Sequence, residues 1–585
     1  MNARPDGDPS RSSVLAGHYM NSLLTSTVWN SSSEANGHVI VVTGAHSTIE
    51  LDQEGKTPRE RPTVGQFMGL LTESSIIIGL ISQVGKPTAT KEEQATHTTA
   101  QLDLVGEIRI DATGTARFRR GITEYPHIGD RALLLDERGL RLIYDTVSAA
   151  RGRIGDLQQN SAIGVYIDID MLLNRHFALL GATGVGKSSG LTNILQKVLE
   201  VRPDVRIFLI DPHNEYTHCF GDKAHVLNPR NLRLPFWLFN FEEMIDVLFG
   251  DRRGIVEEVE ILSEVIPLAK AAYQQHRVGL GQSIIAKRRN PVDSGFTADT
   301  PVPYRIEDLV TLLDERMGKL ENHALCGIYF RLISRIQTFR NHPRLSFMFE
   351  QANIGGDTMA GLLSNLFRLP PDGKPMTVMQ LAGFPAEVVD AVVSVLGRMA
   401  FDFGMWSDGI SPLLFVCEEA HNYAPADKTI GFGPTRRALA RIAKEGRKCG
   451  VYLGLVTQRP AEIDTTIFSQ CSTLFCMRLS NEADQNMIRS SVSDAAANLL
   501  SFLPALGTRE VFAFGPGVAM PTRLRFSELS REFLPNCEAA DDADANRSVS
   551  VDSDVITSVI KRWRSSTMSR RPENDRNSAA LQPAS

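Results

Sequence analysis

At 585 residues the chain is too long for one ordinary domain, and an apolar content of 42% is enough for several hydrophobic cores. The formal net charge of -6 excludes a surface coated with nucleic-acid-binding lysines, although a basic channel inside an assembly stays open. No apolar run approaches the roughly 20 residues that cross a bilayer, the N-terminus lacks the apolar segment of a signal peptide, and the seven cysteines have no zinc-site spacing, so we expect a soluble cytoplasmic protein.

The first part of the chain contains short apolar runs separated by glycine-containing breaks. Residues 1–37 are rich in Ser, Asn and Gly, have little periodicity and are predicted to be mostly disordered. Between residues 38 and 150, runs such as SSIIIGLISQVG (74–85) recur at the spacing of short strands. This segment predicts a small β-barrel or sandwich.

After residue 150, compact apolar runs are separated by stretches long enough for helices. This pattern is typical of an α/β domain built on a largely parallel sheet, which we predict over 151–234 and 371–530. In the intervening segment, 235–370, apolar residues recur at three- and four-residue steps, which predicts an inserted helical bundle. The tail, 531–585, is acidic and then rich in Ser and Arg, and is predicted to be mostly disordered.

The stretch GATGVGKS (181–188) matches the phosphate-binding pattern G-x-x-x-x-G-K-[ST], between a predicted strand and a predicted helix. Its glycines let backbone N–H groups close around phosphate oxygens, and the helix N-terminus adds partial positive charge. Lys187 would reach the β- and γ-phosphates of ATP, and the Ser188 hydroxyl would bind Mg²⁺. The alternative is a glycine-rich turn without a ligand. The predicted nucleotide-binding residues are Gly181, Ala182, Thr183, Gly184, Val185, Gly186, Lys187, Ser188 and Ser189.

The stretch FVCEEAHNYAP (415–425) ends an apolar strand with two adjacent glutamates. In P-loop enzymes an acid at the end of a second strand holds magnesium, and it is most often Asp. Here that acid is Glu418, whose side chain is one methylene longer. Glu419 is predicted to orient or deprotonate the attacking water. The alternative is that these acids only cap a following helix.

The strand VYLGLVTQ (451–458) ends in Gln458. We expect its polar side chain to lie between the ends of the two acidic strands and to sense the γ-phosphate. The alternative is that Gln458 only begins a polar loop.

Taken together, these segments resemble the HerA branch of the FtsK/HerA superfamily of ring-forming DNA translocases. The motifs RHFALLGATGVGKSS, IDPHNEY, EEAHNYAP, RIAKEGRKCGV and TQRP occur in the order that this family uses, and the resemblance covers about 38–530. It implies an α/β fold: a RecA-like P-loop ATPase core with a mainly parallel sheet, an N-terminal small β-barrel of the HAS-barrel kind and an inserted helical bundle. It also implies a hexamer that uses ATP and Mg²⁺ to draw double-stranded DNA through a central channel without sequence preference.

The resemblance further implies an arginine that reaches the ATP site of the neighbouring subunit and stabilises charge on the γ-phosphate. Arg447 matches that position best, and Arg441 and Arg459 are the alternatives. A plainer interpretation is that Arg447 caps the C-terminus of the preceding helix.

The motif IDPHNEY (210–216) ends another predicted strand. We expect Asp211, His213 and Glu215 to support the ATP site or a subunit interface, although a separate metal site is an alternative. Asn214 stands where the family usually has Gly, and Asn tolerates the left-handed backbone that such a position requires.

Contacts with DNA and with partner proteins are the remaining expectations. The loop ADKTIGFGPTRR (426–437) offers Lys428, Arg436 and Arg437 to DNA phosphates, although a solvated charged loop has the same composition. Relatives typically act with a NurA-like nuclease in DNA end processing, or with nucleases or sirtuin-like effectors in bacterial anti-phage defence, so we expect a partner docked on the barrel. The alternative functions are an ATP-gated scaffold that activates its partner without processive translocation, and a protein-remodelling ATPase.

Overall fold

The structure is a computed structural model. It describes residues 27–29, 35–52, 61–86, 97–111, 115–145, 150–250, 256–279, 295–342, 345–349, 352, 357–384, 386–492 and 497–536. Most of the first 37 residues and the tail beyond residue 536, both predicted to be mostly disordered, lie outside this description. No helix in the described part is long and apolar enough to cross a membrane.

The N-terminal strands form an antiparallel barrel. They are β1 (Gly37–Val42), β2 (His46–Leu51), β3 (Phe67–Leu71), β4 (Ile76–Gly85), β5 (Thr98–Ile110), β6 (Ala116–Arg120) and β7 (Arg131–Leu134). The strand order is β2-β1-β7-β3-β4-β5-β6, and β2 also pairs with β5. Six strands therefore close on themselves and β6 extends from β5. The predicted small β-barrel is confirmed.

Two residues of the segment predicted to be disordered are buried against this barrel. Val28 and Trp29 belong to the hydrophobic core, and Trp29 is only 1% exposed. The Trp29 indole N–H donates to the carbonyl oxygen of Leu134, at 2.7 Å. Gly69 makes room for the ring, because a Cβ placed there would lie 2.8 Å from it. These two residues are exceptions within a segment predicted to be mostly disordered, because burial of a large aromatic side chain needs no periodic pattern in the sequence.

Replacing Trp29 with alanine is expected to lower the free energy of unfolding by about 3–5 kcal/mol, because it leaves a large cavity and an unpaired Leu134 carbonyl. The matched control is Trp406→Ala, since Trp406 is 82% exposed. That control should change stability by less than about 0.5 kcal/mol. Urea unfolding of both variants checks the prediction, and equal effects would contradict it.

Eleven strands in the described part form the second sheet. They are β8 (Arg151–Leu157), β9 (Asn160–Asp168), β10 (Phe177–Leu180), β11 (Arg206–Asp211), β12 (Ala224–Leu227), β13 (Met376–Gln380), β14 (Leu413–Cys417), β15 (Val451–Thr457), β16 (Thr473–Cys476), β17 (Glu510–Phe514) and β18 (Thr522–Phe526). Their order is β12-β13-β11-β14-β15-β10-β16-β17-β18-β8-β9. Pairs from β12 to β16 are parallel and the remaining pairs are antiparallel. The predicted mainly parallel sheet is confirmed, and its central strands are buried along their length, which explains the unbroken apolar runs.

The helices pack around this sheet and in an insertion between β12 and β13. They are α1 (Glu137–Tyr144), α2 (Ile169–Asn174), α3 (Lys187–Val201), α4 (Phe241–Phe249), α5 (Val256–Gly279), α6 (Ile306–Met317), α7 (His323–Arg340), α8 (Ser346–Phe349), α9 (Met359–Phe367), α10 (Ala386–Trp406), α11 (Gly433–Glu445), α12 (Thr465–Phe468) and α13 (Glu482–Arg489). Helices α4 to α9 make up the insertion, so the predicted inserted helical bundle is confirmed.

Polar side chains fix the barrel to the antiparallel end of the second sheet. The guanidinium of Arg120, on β6, donates to the carbonyl oxygens of Gly515 at 2.7 Å and Ala519 at 2.8 Å. The fully buried Asp103, on β5, accepts from the Asn498 amide at 3.2 Å. Because the Asp103 carboxylate is fully buried, and because charged groups form strong hydrogen bonds, these contacts hold the barrel in one orientation on the core.

Candidate functional site

The phosphate-binding motif lies between β10 and α3. Gly184 and Gly186 have φ values of 73° and 93°, in the left-handed region that favours glycine. Lys187 is the first residue of α3, and its Nζ donates to the carbonyl oxygen of Ala182 at 3.0 Å. The sequence therefore folds into the strand–loop–helix context that phosphate binding requires.

The order of the sheet decides what faces this loop. Strand β15 lies between β10 and β14, and all three are parallel, so their carboxyl ends share one edge. Gln458 was expected to lie between the two strands that end in acids, which are β11 with Asp211 and β14 with Glu418. That expectation was wrong, because these two strands are direct neighbours. Gln458 instead lies between the phosphate loop and Glu418, and the Thr183 hydroxyl donates to its Oε1.

The paired glutamates are both buried at this edge. Glu418 is 3% exposed and Glu419 is 7% exposed. Glu419 follows the end of β14 with a left-handed φ of 50°. A 3-10 helix, Ala420–Asn422, begins next, but Glu419 makes no capping hydrogen bond with its side chain. This contradicts helix capping as the reason for the second acid.

A histidine that sequence reasoning left without a role approaches Glu419. The Nδ1 of His421 lies 3.3 Å from Oε2 of Glu419 and 2.9 Å from the hydroxyl of Thr457. Burial lowers the pKa of His421, so the ring is neutral at physiological pH. Because Thr457 directly precedes Gln458, the histidine joins the acid strand to β15.

The motif IDPHNEY folds back on itself beside the acids. The fully buried carboxylate of Asp211 accepts the backbone N–H groups of Glu215 and Tyr216, each at 3.1 Å. Asn214 has a φ of 58°, the left-handed conformation expected for it. The His213 side chain is exposed and is not brought to the acids.

Two side chains of this motif contact the predicted magnesium residues. The Ser188 hydroxyl donates to Oε2 of Glu215 at 2.7 Å. The Tyr216 hydroxyl donates to Oε1 of Glu418 at 2.7 Å. Sequence reasoning missed Tyr216, although this tyrosine stands inside a motif that was recognised. It also missed Asn536, whose side chain donates to the Asn214 carbonyl at 2.8 Å and so ties the chain after β18 to this loop.

The electrostatics of the acids suit a divalent cation. Burial raises the pKa of Glu418 well above its usual range, and the negative charges of Glu215, Asp211 and Glu419 raise it further. Oε2 of Glu418 is buried and has no hydrogen-bond partner among the described residues. The described residues contain no group of three or more His, Cys, Asp or Glu side chains arranged to hold a metal by themselves. Mg²⁺ fits such a site, since it is usually held by few protein groups, water and substrate phosphates. Ser188 and Glu418 would hold it, and the ion would neutralise phosphate charge.

The three candidate arginines occupy different environments. Arg447 is exposed, in a 3-10 turn (Gly446–Cys449) before β15. Burial is the main reason that the pKa of His176 is lowered to about 4, and the positive charge of Arg447 contributes to this shift. Since His176 directly precedes β10, Arg447 lies at the edge of the sheet opposite the phosphate loop. The guanidinium of Arg441 instead lies 4.2 Å from the centre of the Phe401 ring, and that of Arg459 pairs with Glu462 at 3.0 Å.

The predicted DNA loop is shorter than expected. Helix α11 begins at Gly433 with Pro434 in its first turn, a residue that favours helix starts. Arg436 and Arg437 therefore belong to the helix, and Arg437 pairs with Glu242 of the insertion. Lys428 remains in the exposed loop.

Residues 152–400 match the family model described as the central domain of the helicase HerA. Over 504 residues, 81% of this chain and 88% of the relative, the chain is 23% identical to a probable helicase of Methanocaldococcus jannaschii. Over 401 residues, 64% of this chain and 70% of the relative, it is 24% identical to the DNA double-strand break repair helicase HerA of Pyrococcus furiosus. The solved structure of the plasmid coupling protein TrwB with a non-hydrolysable GTP analogue aligns with 68% of this chain and 94% of that chain, at 14% identity and a TM-score of 0.42.

Proposed function

We propose that this chain, whose residues 152–400 match the HerA central-domain model, is a HerA-type P-loop ATPase and a motor that hydrolyses ATP to move double-stranded DNA through a ring of six copies. It would act with a partner nuclease or another effector, in DNA end processing or in bacterial anti-phage defence. The observation that carries the proposal is the meeting of Glu419, Gln458 and the phosphate loop at one edge of the sheet.

This arrangement supports hydrolysis by water. A carboxylate next to the magnesium acid can accept a proton from the attacking water. Gln458 contacts the phosphate loop through Thr183, so its position depends on what the loop holds. Transfer of the γ-phosphoryl group to water, and not to a second substrate, is the reaction that a motor ATPase uses.

The position of Arg447 supports the ring. Strand β15 has seven residues, so at about 3.3 Å per residue Arg447 lies roughly 20 Å from its own phosphate loop. A side chain cannot bridge that distance. Arg447 is therefore proposed to complete the ATP site of the neighbouring copy, which makes each site dependent on two subunits.

The case for DNA rests on the relatives and on one loop. The Pyrococcus relative carries the name of a DNA double-strand break repair helicase. In this chain the exposed loop with Lys428 begins a few residues after Glu419, so it follows a residue of the ATP site closely along the chain. Lysine contacts to phosphates would bind DNA without reading its sequence.

The barrel is the proposed docking surface for the partner. Val41, Tyr125 and Ile128 are exposed apolar residues around the β1–β2 turn, 47%, 47% and 75% exposed. The Tyr125 hydroxyl donates to the carbonyl of Gly44 at 3.1 Å, which fixes the ring beside that turn. Such a cluster on a small barrel is typical of an interaction surface. A NurA-like nuclease or a sirtuin-like effector is the proposed occupant.

The test is ATP hydrolysis by the purified chain with and without linear double-stranded DNA. We expect strong stimulation by DNA of any sequence, falling steeply as salt is raised. Hydrolysis indifferent to DNA but altered by a barrel-bound partner would overturn the motor in favour of the ATP-gated scaffold. Stimulation by unfolded polypeptide instead would identify a protein-remodelling enzyme.

A further inference from the structure

Arg509 lies against the phosphate loop, far from it in sequence. It directly precedes β17, which runs antiparallel to β16, and β16 is parallel to β10. The start of β17 therefore lies at the edge where β10 ends. The backbone N–H of Arg509 donates to the carbonyl oxygen of Val185 at 2.9 Å, so the two segments are joined directly.

The backbone of Arg509 is held in an unfavourable conformation. Its φ of 63° lies in the left-handed region, which costs a residue with a Cβ about 1 kcal/mol or more. The surroundings fix it there, since its carbonyl accepts the N–H of Phe526 at 3.0 Å. The Phe526 ring in turn packs on Gly190 of α3, where a Cβ would lie 2.8 Å from the ring.

This conformation directs the side chain along the loop. A Cβ placed on Gly186 would lie 3.1 Å from Cγ of Arg509. Gly186 directly precedes Lys187, so the aliphatic part of the arginine lies next to the backbone that encloses phosphate. The guanidinium carbon lies three bonds beyond Cγ, which brings the edge of the phosphate site within reach of the group.

The Arg509 guanidinium pairs with an exposed glutamate, and this ion pair is weak. Arg509 Nη2 lies 2.9 Å from Oε1 of Glu528, and the Glu528 side chain is 80% exposed. An exposed ion pair of this kind contributes about 0–1 kcal/mol. Nucleotide phosphates carry more negative charge and match the planar fork of a guanidinium, so they compete effectively for it.

We propose that Arg509 binds the phosphates of the nucleotide held by its own subunit, and that Glu528 holds the guanidinium when no nucleotide is bound. This inference rests on nucleotide binding at the loop and is independent of DNA movement. Each ATP would then meet two cations from its own subunit, Lys187 and Arg509.

The experiment measures the dissociation constant of a fluorescent ADP analogue for the full chain, without DNA. Arg509→Met is expected to raise it by about tenfold or more, whereas Glu528→Gln should leave it unchanged or lower it. If the ion pair only braced the loop, both variants would weaken binding equally, and that result would overturn the proposal. No change in Arg509→Met would overturn it as well.

Two further measurements separate phosphate contact from other effects. The inhibition constant of inorganic pyrophosphate, obtained by displacing the analogue and corrected for the analogue's own weaker binding, should rise in Arg509→Met. An unchanged pyrophosphate affinity would place the arginine at the base or ribose and contradict the proposal. If Arg509→Met does not fold, Arg509→Lys keeps the charge but not the fork, and an intermediate loss of affinity is expected.

Discussion

Glu419→Gln is expected to reduce the rate of ATP hydrolysis by about a hundredfold or more, because an amide cannot accept the proton of the attacking water. Glutamine keeps the shape of the side chain, which matters at a site that is only 7% exposed. Nucleotide binding should persist, since the interaction lost is made in the transition state. Steady-state hydrolysis and a separate binding measurement check both parts.

Glu257→Gln provides the control for that result. Glu257 is exposed in the first turn of α5, in the helical insertion, so the same chemical change there should leave hydrolysis unaffected. If Glu419→Gln hydrolysed ATP at the normal rate, the base would have to be another residue. Loss of nucleotide binding in that variant would instead indicate that the carboxylate has a structural role.

Lys187→Ala is expected to abolish hydrolysis and to weaken nucleotide binding by about tenfold or more, since it removes the cation nearest the predicted β- and γ-phosphates. The side chain is buried, and its ammonium donates to the Ala182 carbonyl within the loop. The charge is therefore already positioned before phosphate arrives. Titration with a fluorescent nucleotide measures the loss of affinity.

The matched control is Lys197→Ala on the same helix. Lys197, whose side chain is 28% exposed, pairs with Glu200 at 2.8 Å on α3, so its removal tests the effect of losing one helix lysine. Its effect on nucleotide binding should be small, as for most surface substitutions. Hydrolysis that survived in Lys187→Ala would contradict the assignment of the phosphate site.

Local patterns predicted much of this molecule. The phosphate loop is contiguous, and its glycines, lysine and serine are recognisable without any distant contact. The class of the main sheet was equally accessible, because strands buried on both faces are apolar along their whole length, as LLFVC in β14 is.

Contacts between distant segments could not be predicted in this way. The bond from Tyr216 to Glu418 joins residues 202 positions apart, and nothing near either residue indicates it. The predicted position of Gln458 was wrong because strand order is set by the packing of whole strands and not by the residues at their ends. Trp29 is held by its burial against Gly69 and its bond to Leu134, and Arg509 by a left-handed backbone conformation. Neither feature leaves a periodic pattern in the sequence.

Strand β15 gives the proposed ring a mechanical property. Gln458 follows one end of this buried strand, and Arg447 precedes the other. A strand hydrogen-bonded on both sides and closely packed does not stretch, so a shift at one end reaches the other almost undiminished. In the proposed ring, β15 would therefore form a rigid connection between the γ-phosphate site of its own subunit and that of the neighbour. Such rigid connections around a ring would make neighbouring sites hydrolyse ATP one after another.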